Sequence, residues 1–220
     1  MALVTYFPCN EGTGTVLYDN YGTNNLTRLA GDIGWHSPGH GSNASSYDPL
    51  SGALENQAFA WGTVAGGPFS YAHWCYLIST ATGAMLVGNG NAGGTNHWLR
   101  RNSTNIDLPG TQPIAMNEWV HLALVIQNYT YQYYINGSPA TSGNFSTQGW
   151  ASMSNIIFGS YAVTSFIHPA YINDAYFFNH ALTQDEVVQC MNNTYISTPS
   201  SGVRTRFSKL RASKYLAILK

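Results

Sequence analysis

Residues 119–139 read WVHLALVIQNYTYQYYINGSP, and their spacing decides the fold class. In Trp119–Gln127 the side chains of Trp119, His121, Ala123 and Val125 fall on one side of an extended strand. Those of Val120, Leu122, Leu124 and Ile126 fall on the other. Both sets are mostly apolar, so this strand is expected to be central and covered on both faces. The bend Gln127–Thr130 returns the chain into YQYYI, and Asn136-Gly137 supplies the positive φ angles of a type I′ hairpin turn.

Working outward, the same texture recurs. LVTYF opens the chain, and Val16, Leu17 and Tyr18 follow a Gly-rich bend. FSYAHWCYLIS (69–79) alternates well enough for a strand. GAMLVGNG with HWLRRN, then NIIFGS and AYINDAYFFN, read as further strands. Residues 31–67 are rich in Gly, Ser, Asn and Pro and read mostly as loop, with strand candidates near Ala58–Trp61. One helix is expected, from Gln184 to about Asn192: Thr183 and Glu186 have capping-box spacing, and Leu182 with Val187 fits a hydrophobic staple. Many short strands without alternating helices predict an all-β sandwich.

The chain has 220 residues, of which only 9% are charged, while 15 Tyr and 6 Trp are present. It is solvated by amides and hydroxyls rather than ions, a habit that suits exposed β-rich modules. Cys9, Cys75 and Cys190 are odd in number and include no C-x-x-C pair, which predicts buried thiols rather than a disulfide framework. No apolar run approaches the about 20 residues of a membrane helix. The first residues carry neither the basic start nor the apolar segment of a secretory signal, so synthesis in a host cytoplasm is expected, with an extracellular site as the alternative.

Charge is unevenly placed. Residues 1–195 contain Arg28, Arg100 and Arg101 against all 10 acidic side chains, whereas residues 196–220 contain six basic side chains and no acidic one. Two units are therefore expected: a β-sandwich over 1–195 and a basic, partly apolar arm over 196–220.

Taken together, these motifs resemble the laminin-G-like, concanavalin A-like jelly-roll family. FPCNEGTGTVLYDN (7–20) resembles its opening, FSYAHWCYLI its mid-chain strand, and Trp119–Val125 with Tyr134–Gly137 its W-x-H-L-A-L-V and Y-x-N-G pair. INDAYFFNHALTQDEVV (172–188) resembles its closing motif, departing at Asn173, where the family more often has Asp. The resemblance spans about residues 2–193. It implies an all-β, two-sheet antiparallel jelly-roll sandwich with the short helix near 184–192, followed here by the C-terminal arm. It also implies a binding module more often than an enzyme.

Glycosidase relatives of this fold carry E-x-D-x-x-E on one strand. None of Glu11, Glu55, Glu118 and Glu186 has Asp two residues on, so that mechanism is not expected. GNGNAG (88–93) matches a dinucleotide motif literally, but strand-like text follows it where a helix is required. His36 and His40 lie in non-helical text, and His121 reads as a satisfied core histidine. No cofactor is expected except calcium, which relatives bind with Asp, Asn and backbone oxygens; Asp19, Asn20, Asp32 and Asp174 are the positions to test. With so few acids, the first expectation is that Asp19 and Asp174 cap turns. Trp35, Trp61, Trp98 and Trp150 lie in loop-like text and are the candidate sugar-stacking residues, whereas Trp74 and Trp119 read as core.

In the arm, Arg204, Arg206, Phe207, Lys209, Leu210, Arg211, Tyr215 and Leu216 combine cations with an apolar stripe. That pattern fits docking onto an acidic protein surface better than a nucleic acid or a membrane. The functional expectation is a non-enzymatic structural or binding protein. Its first form is a phage-like virion surface decoration or cement protein, in an oligomeric assembly anchored by the arm on a capsid or tail protein. The alternative is a lectin-like carbohydrate-binding module for cell-surface, including host, glycans.

Overall fold

A computed structural model describes residues 3–49, 53–56, 68–78, 85–88, 97–102, 105–107, 112–144, 156–158 and 170–195. The elements in chain order are β1 (Leu3–Phe7), β2 (Val16–Leu17), β3 (Leu26–Ala30), β4 (Gly34–His36), β5 (Ser46–Asp48), β6 (Ala53–Asn56), β7 (Phe69–Leu77) and β8 (Met85–Gly88). There follow β9 (His97–Asn102), β10 (Asn105–Asp107), β11 (Gln112–Pro113), β12 (Trp119–Gln127), β13 (Thr130–Ile135), β14 (Ser138–Asn144), β15 (Ile156–Phe158), β16 (Ala170–Phe178) and α1 (Gln184–Met191).

One sheet is ordered β14-β13-β12-β7-β16-β5-β4, with β1 also paired to β16, and the second β11-β10-β9-β8-β15-β6-β3-β2. The pairings around β7, β12 and β16 are antiparallel. As expected from its two-sided apolar pattern, β12 is central, between β13 and β7. Both hairpin turns in the opening stretch carry paired positive φ angles: Asn128 and Tyr129 at 52° and 59°, Asn136 and Gly137 at 49° and 76°. Among its described residues, the 31–67 region holds more strand than its composition suggests, since it supplies β4, β5 and β6. The strand candidate at 58–61 and most of the 88–93 motif lie outside the described residues.

The inner face of β12 (Val120, Leu122, Leu124, Ile126) packs with Tyr71 and Cys75 of β7, Phe177 of β16 and, from the second sheet, Leu54, Ile156 and Phe158. This is the layer between the sheets. The outward faces of β7, β12 and β16 contribute Ala72, Ala123, Val125, Tyr176 and Phe178 to a second cluster, closed by Leu182, Val187 and Cys190. Burying two or three large side chains of this kind stabilises by roughly 1.5–3 kcal/mol each. Helix α1 is thus a lid on half of the outer face. It starts where the sequence indicated, with Thr183 accepting from the Glu186 N–H and Glu186 accepting from the Thr183 N–H. All three cysteines are buried thiols.

Strand β16 carries a bulge: Asn173 pairs with Trp74, and the next recorded pair is Tyr176 with Ala72. The extra residue inverts the alternation. Ile172, Ala175 and Phe177 all reach the inner layer, so Tyr171 and Tyr176 both face outward.

Candidate functional site

Beyond the helix, the outer face of the first sheet carries a continuous row of half-buried rings from β4, β16, β7, β12 and the turn after β4. His36 lies flat on Tyr171, with centroids 3.7 Å apart at 6°. Tyr171 stacks on Tyr76 at 5.6 Å, and Tyr76 meets Trp119 edge-on at 5.7 Å. His40 then stands between two indoles, stacked on Trp74 at 3.7 Å and edge-on to Trp119 at 5.4 Å. Trp74 touches His121 at 5.3 Å and donates its indole N–H to the Met191 carbonyl at the end of α1. Strand pairing creates this order: Trp119 lies opposite Tyr76, His121 opposite Trp74, and Tyr171 opposite Tyr76. Aromatic pairs in such arrangements contribute about 0.5–1.5 kcal/mol each beyond area burial.

Three nitrogens at the Trp74 end are buried without a hydrogen-bond partner among the described residues: Nδ1 of His40 and both ring nitrogens of His121. His121 is therefore buried as expected, but it is not satisfied. Burial, with the nearby His40 charge adding, pulls its pKa down to about 3. Burial also lowers the pKa of His40, opposed by the Asp174 carboxylate. Both imidazoles are neutral at pH 7.

The turn that presents His40 is fixed at its base. The His40 N–H donates to Oδ1 of Asn173 at 2.7 Å, and the His40 carbonyl accepts from the Asn43 N–H at 3.0 Å. The Asn173 amide donates to the carbonyls of Pro8, Cys9 and Ser45. One buried side chain thereby joins the end of β1, the start of β5 and the His40 turn. At Gly39 a Cβ would overlap the Ser45 carbonyl oxygen, so only glycine fits this approach. Next to it, Asp174 accepts from the Tyr6 hydroxyl on Oδ1 and from the Asn43 and Asn193 amides on Oδ2. Burial raises its pKa, against the lowering effect of those donors and of His40.

Residues 51–188 match the family model described as the concanavalin A-like lectin/glucanases superfamily. The chain belongs to that superfamily. No curated protein matches it in sequence. Among solved structures, it is similar to domain 4 of the extracellular arabinanase AbnA of Geobacillus stearothermophilus, in complex with arabinotriose. That likeness has 17% identity and a TM-score of 0.63, covering 86% of this chain and 98% of the arabinanase domain. The botulinum neurotoxin serotype G binding domain is similar at 14% identity and TM-score 0.65, over 87% of this chain and 51% of the toxin domain. A sialidase of Trypanosoma rangeli is similar at 14% identity and TM-score 0.64, over 89% of this chain and only 34% of the sialidase. At these identities the likeness is one of fold.

Within this superfamily sandwich, the sequence-derived candidates scatter. Trp35 sits on β4 but faces the inner layer: its ring meets Tyr47 edge-on and its N–H donates to the Gly14 carbonyl. Its neighbour His36 is the β4 residue that joins the outer row. Trp98 belongs to β9 in the second sheet, and Trp61, Trp150 and the whole arm from 196 lie outside the described residues. Conversely, Trp74 and Trp119, read as core from the sequence, are half-buried members of the outer row. A signal was present in part, since Trp74 shares its strand face with Ser70 and Tyr76, and Trp119 shares its face with His121.

The calcium candidates do not form a cage. Oδ1 of Asp19 accepts from the N–H groups of Tyr6, Tyr21 and Gly22, and Oδ2 from that of Asn24. Asp174 meets the opposite, hydroxyl end of the same Tyr6. Asn20 and Asp32 are exposed. Among the described residues no group of three or more His, Cys, Asp or Glu could hold a metal, whereas calcium takes about six to eight oxygens. The residues present do not fit the ion, and Asp19 and Asp174 act as turn and bulge caps. Glu186 is engaged in the helix cap, and Glu11 accepts from the Tyr18 N–H.

Proposed function

We propose that the chain is a non-enzymatic carbohydrate-binding module that reads neutral glycans on the outer face of its first sheet. One observation carries this reading: the half-buried row His36, Tyr171, Tyr76, Trp119 and Trp74, with the His40 ring lying over Trp74 at its end. The edges of such rings, and the faces that no neighbour covers, offer apolar surface to the C–H groups of a sugar chain, with hydroxyls and ring nitrogens at the margins. The arabinotriose complex of the arabinanase domain and the ganglioside interaction of botulinum neurotoxin type C lend support by fold to carbohydrate binding in general. The preference for neutral sugars follows from charge, because residues 1–195 hold ten acidic and only three basic side chains. The test is a broad glycan array probed with the full chain and with the Tyr76→Ala/Tyr171→Ala variant. Binding that the variant loses is expected; a flat array for the wild type overturns the reading.

The arm favours a second, compatible role. Six cations with interspersed apolar residues and no acid would attach the sandwich to an acidic protein surface, as in a decoration protein on a virion. Comparing particle association of the full chain with that of a chain ending at Tyr195 tests it. Equal association of the two would end the anchoring reading.

A further inference from the structure

We infer that the cleft between Trp74 and Trp119 is a subsite for one neutral pyranose, and that the protein keeps it filled with its own His40 imidazole. This rests on the glycan-binding reading above and assigns it a closed end. The His40 ring lies 3.7 Å above the Trp74 ring, tilted by only 21°, while its edge addresses Trp119 at 5.4 Å. A flat ring stacked on one indole and flanked by a second is the pose of a bound sugar. Here a side chain of the same molecule adopts it.

The polar atoms of the cleft point to a ligand. His121 is fully buried, lies against Trp74, and among the described residues leaves both ring nitrogens unpaired; Nδ1 of His40 is unpaired there as well. A buried donor or acceptor without a partner costs about 1–3 kcal/mol. Three around one indole make the closed state poorly satisfied. A pyranose that replaces the imidazole brings hydroxyls, which both donate and accept, to the His121 nitrogens. The displaced His40 ring gains water for its own. Neutral imidazoles suit hydroxyls rather than anions, in agreement with the acidic body.

The exchange asks little of the backbone. The main chain of His40 is pinned to Asn173 and Asn43, so the turn stays while the side chain swings. Because a ligand must first displace His40, its apparent affinity is lowered by the fraction of molecules that are open.

The test uses titration calorimetry on the full chain with xylotriose, cellotriose and maltotriose, comparing wild type, His40→Ala and His121→Phe. For any trisaccharide bound, His40→Ala is expected to lower Kd by about tenfold or more, as removal of a competing internal ligand requires. His121→Phe keeps the ring and removes the nitrogens, and is expected to raise Kd by about tenfold, the loss of a buried hydrogen-bonded pair. Should His40→Ala fold poorly, the wild type still decides: the His40 ring-proton resonances, displaced by the Trp74 ring current, are expected to move to unstacked positions on saturation.

Unchanged or weaker binding by a folded His40→Ala, or His40 resonances that stay put at saturation, overturns the subsite. If Tyr76→Ala/Tyr171→Ala still weakens binding in that case, the outer-face reading survives without it. Failure of wild type and His40→Ala alike to bind any of the three sugars overturns the subsite. The glycan array then decides the wider reading.

Discussion

His121 is a core residue with a liability. Its pKa falls from 6.5 to about 3 through burial and the nearby His40, so the unfolded chain binds a proton more readily than the folded one. Stability is fully present above pH 6.5 and is lost as pH falls toward 3. By linkage the loss is on the order of 4 kcal/mol across that window. His121→Phe is expected to flatten the dependence of Tm on pH between 6.5 and 4, leaving the smaller contribution of His40. An unchanged slope would assign the acid sensitivity elsewhere. Asn173 is the opposite case, a buried amide with every polar atom used. Asn173→Asp would aim an acceptor at three carbonyls in place of a donor and is expected to destabilise by at least about 3 kcal/mol, read by urea unfolding. The site favours the protonated acid, so the folded-state pKa of the new carboxyl is raised, and the variant is expected to lose stability as pH rises.

Among the elements, α1 and the β13–β14 hairpin depend on each other. Gly137 has φ +76°, and a Cβ there would lie 3.1 Å from Val188 Cγ2 of the helix. Gly137→Ala therefore combines backbone strain with a tight contact and is expected to cost about 1–3 kcal/mol. Thr183→Ala, which removes the cap alone, is expected to cost about 1 kcal/mol. Chemical denaturation separates the two; a Gly137→Ala cost below that of Thr183→Ala would mean that the hairpin does not lean on the helix. These elements were legible because their causes are local. Asn-Gly sets its turn with two residues, and Thr183 and Glu186 satisfy each other across one helical turn. The bulge in β16 was not legible. INDAYFF reads on paper as one uninterrupted strand, and only the demand of Asn173 for three carbonyls from other segments places the extra residue.

For the molecule as a whole, the sandwich buries one apolar layer between its sheets and half of a second beneath α1, leaving the remaining outer face to rings. Within the described residues no helix is long and apolar enough to cross a membrane. Among the candidate tryptophans, loop-like flanks selected Trp35, which turns to the inner layer, and passed over Trp74 and Trp119, which do not. Flanking composition reports local chain flexibility, while the face a ring occupies is set by strand order and parity. The sequence by itself determined the antiparallel β class, the central strand, the two tight turns, the capped helix and the uneven charge. Each of these is written in neighbours a few residues apart, whose sterics and hydrogen bonds need nothing distant. Only the tertiary structure decided that residues 36, 40, 74, 76, 119 and 171 form one surface. Their proximity comes from sheet order, antiparallel register and a single inserted residue, which are long-range choices that no local pattern carries.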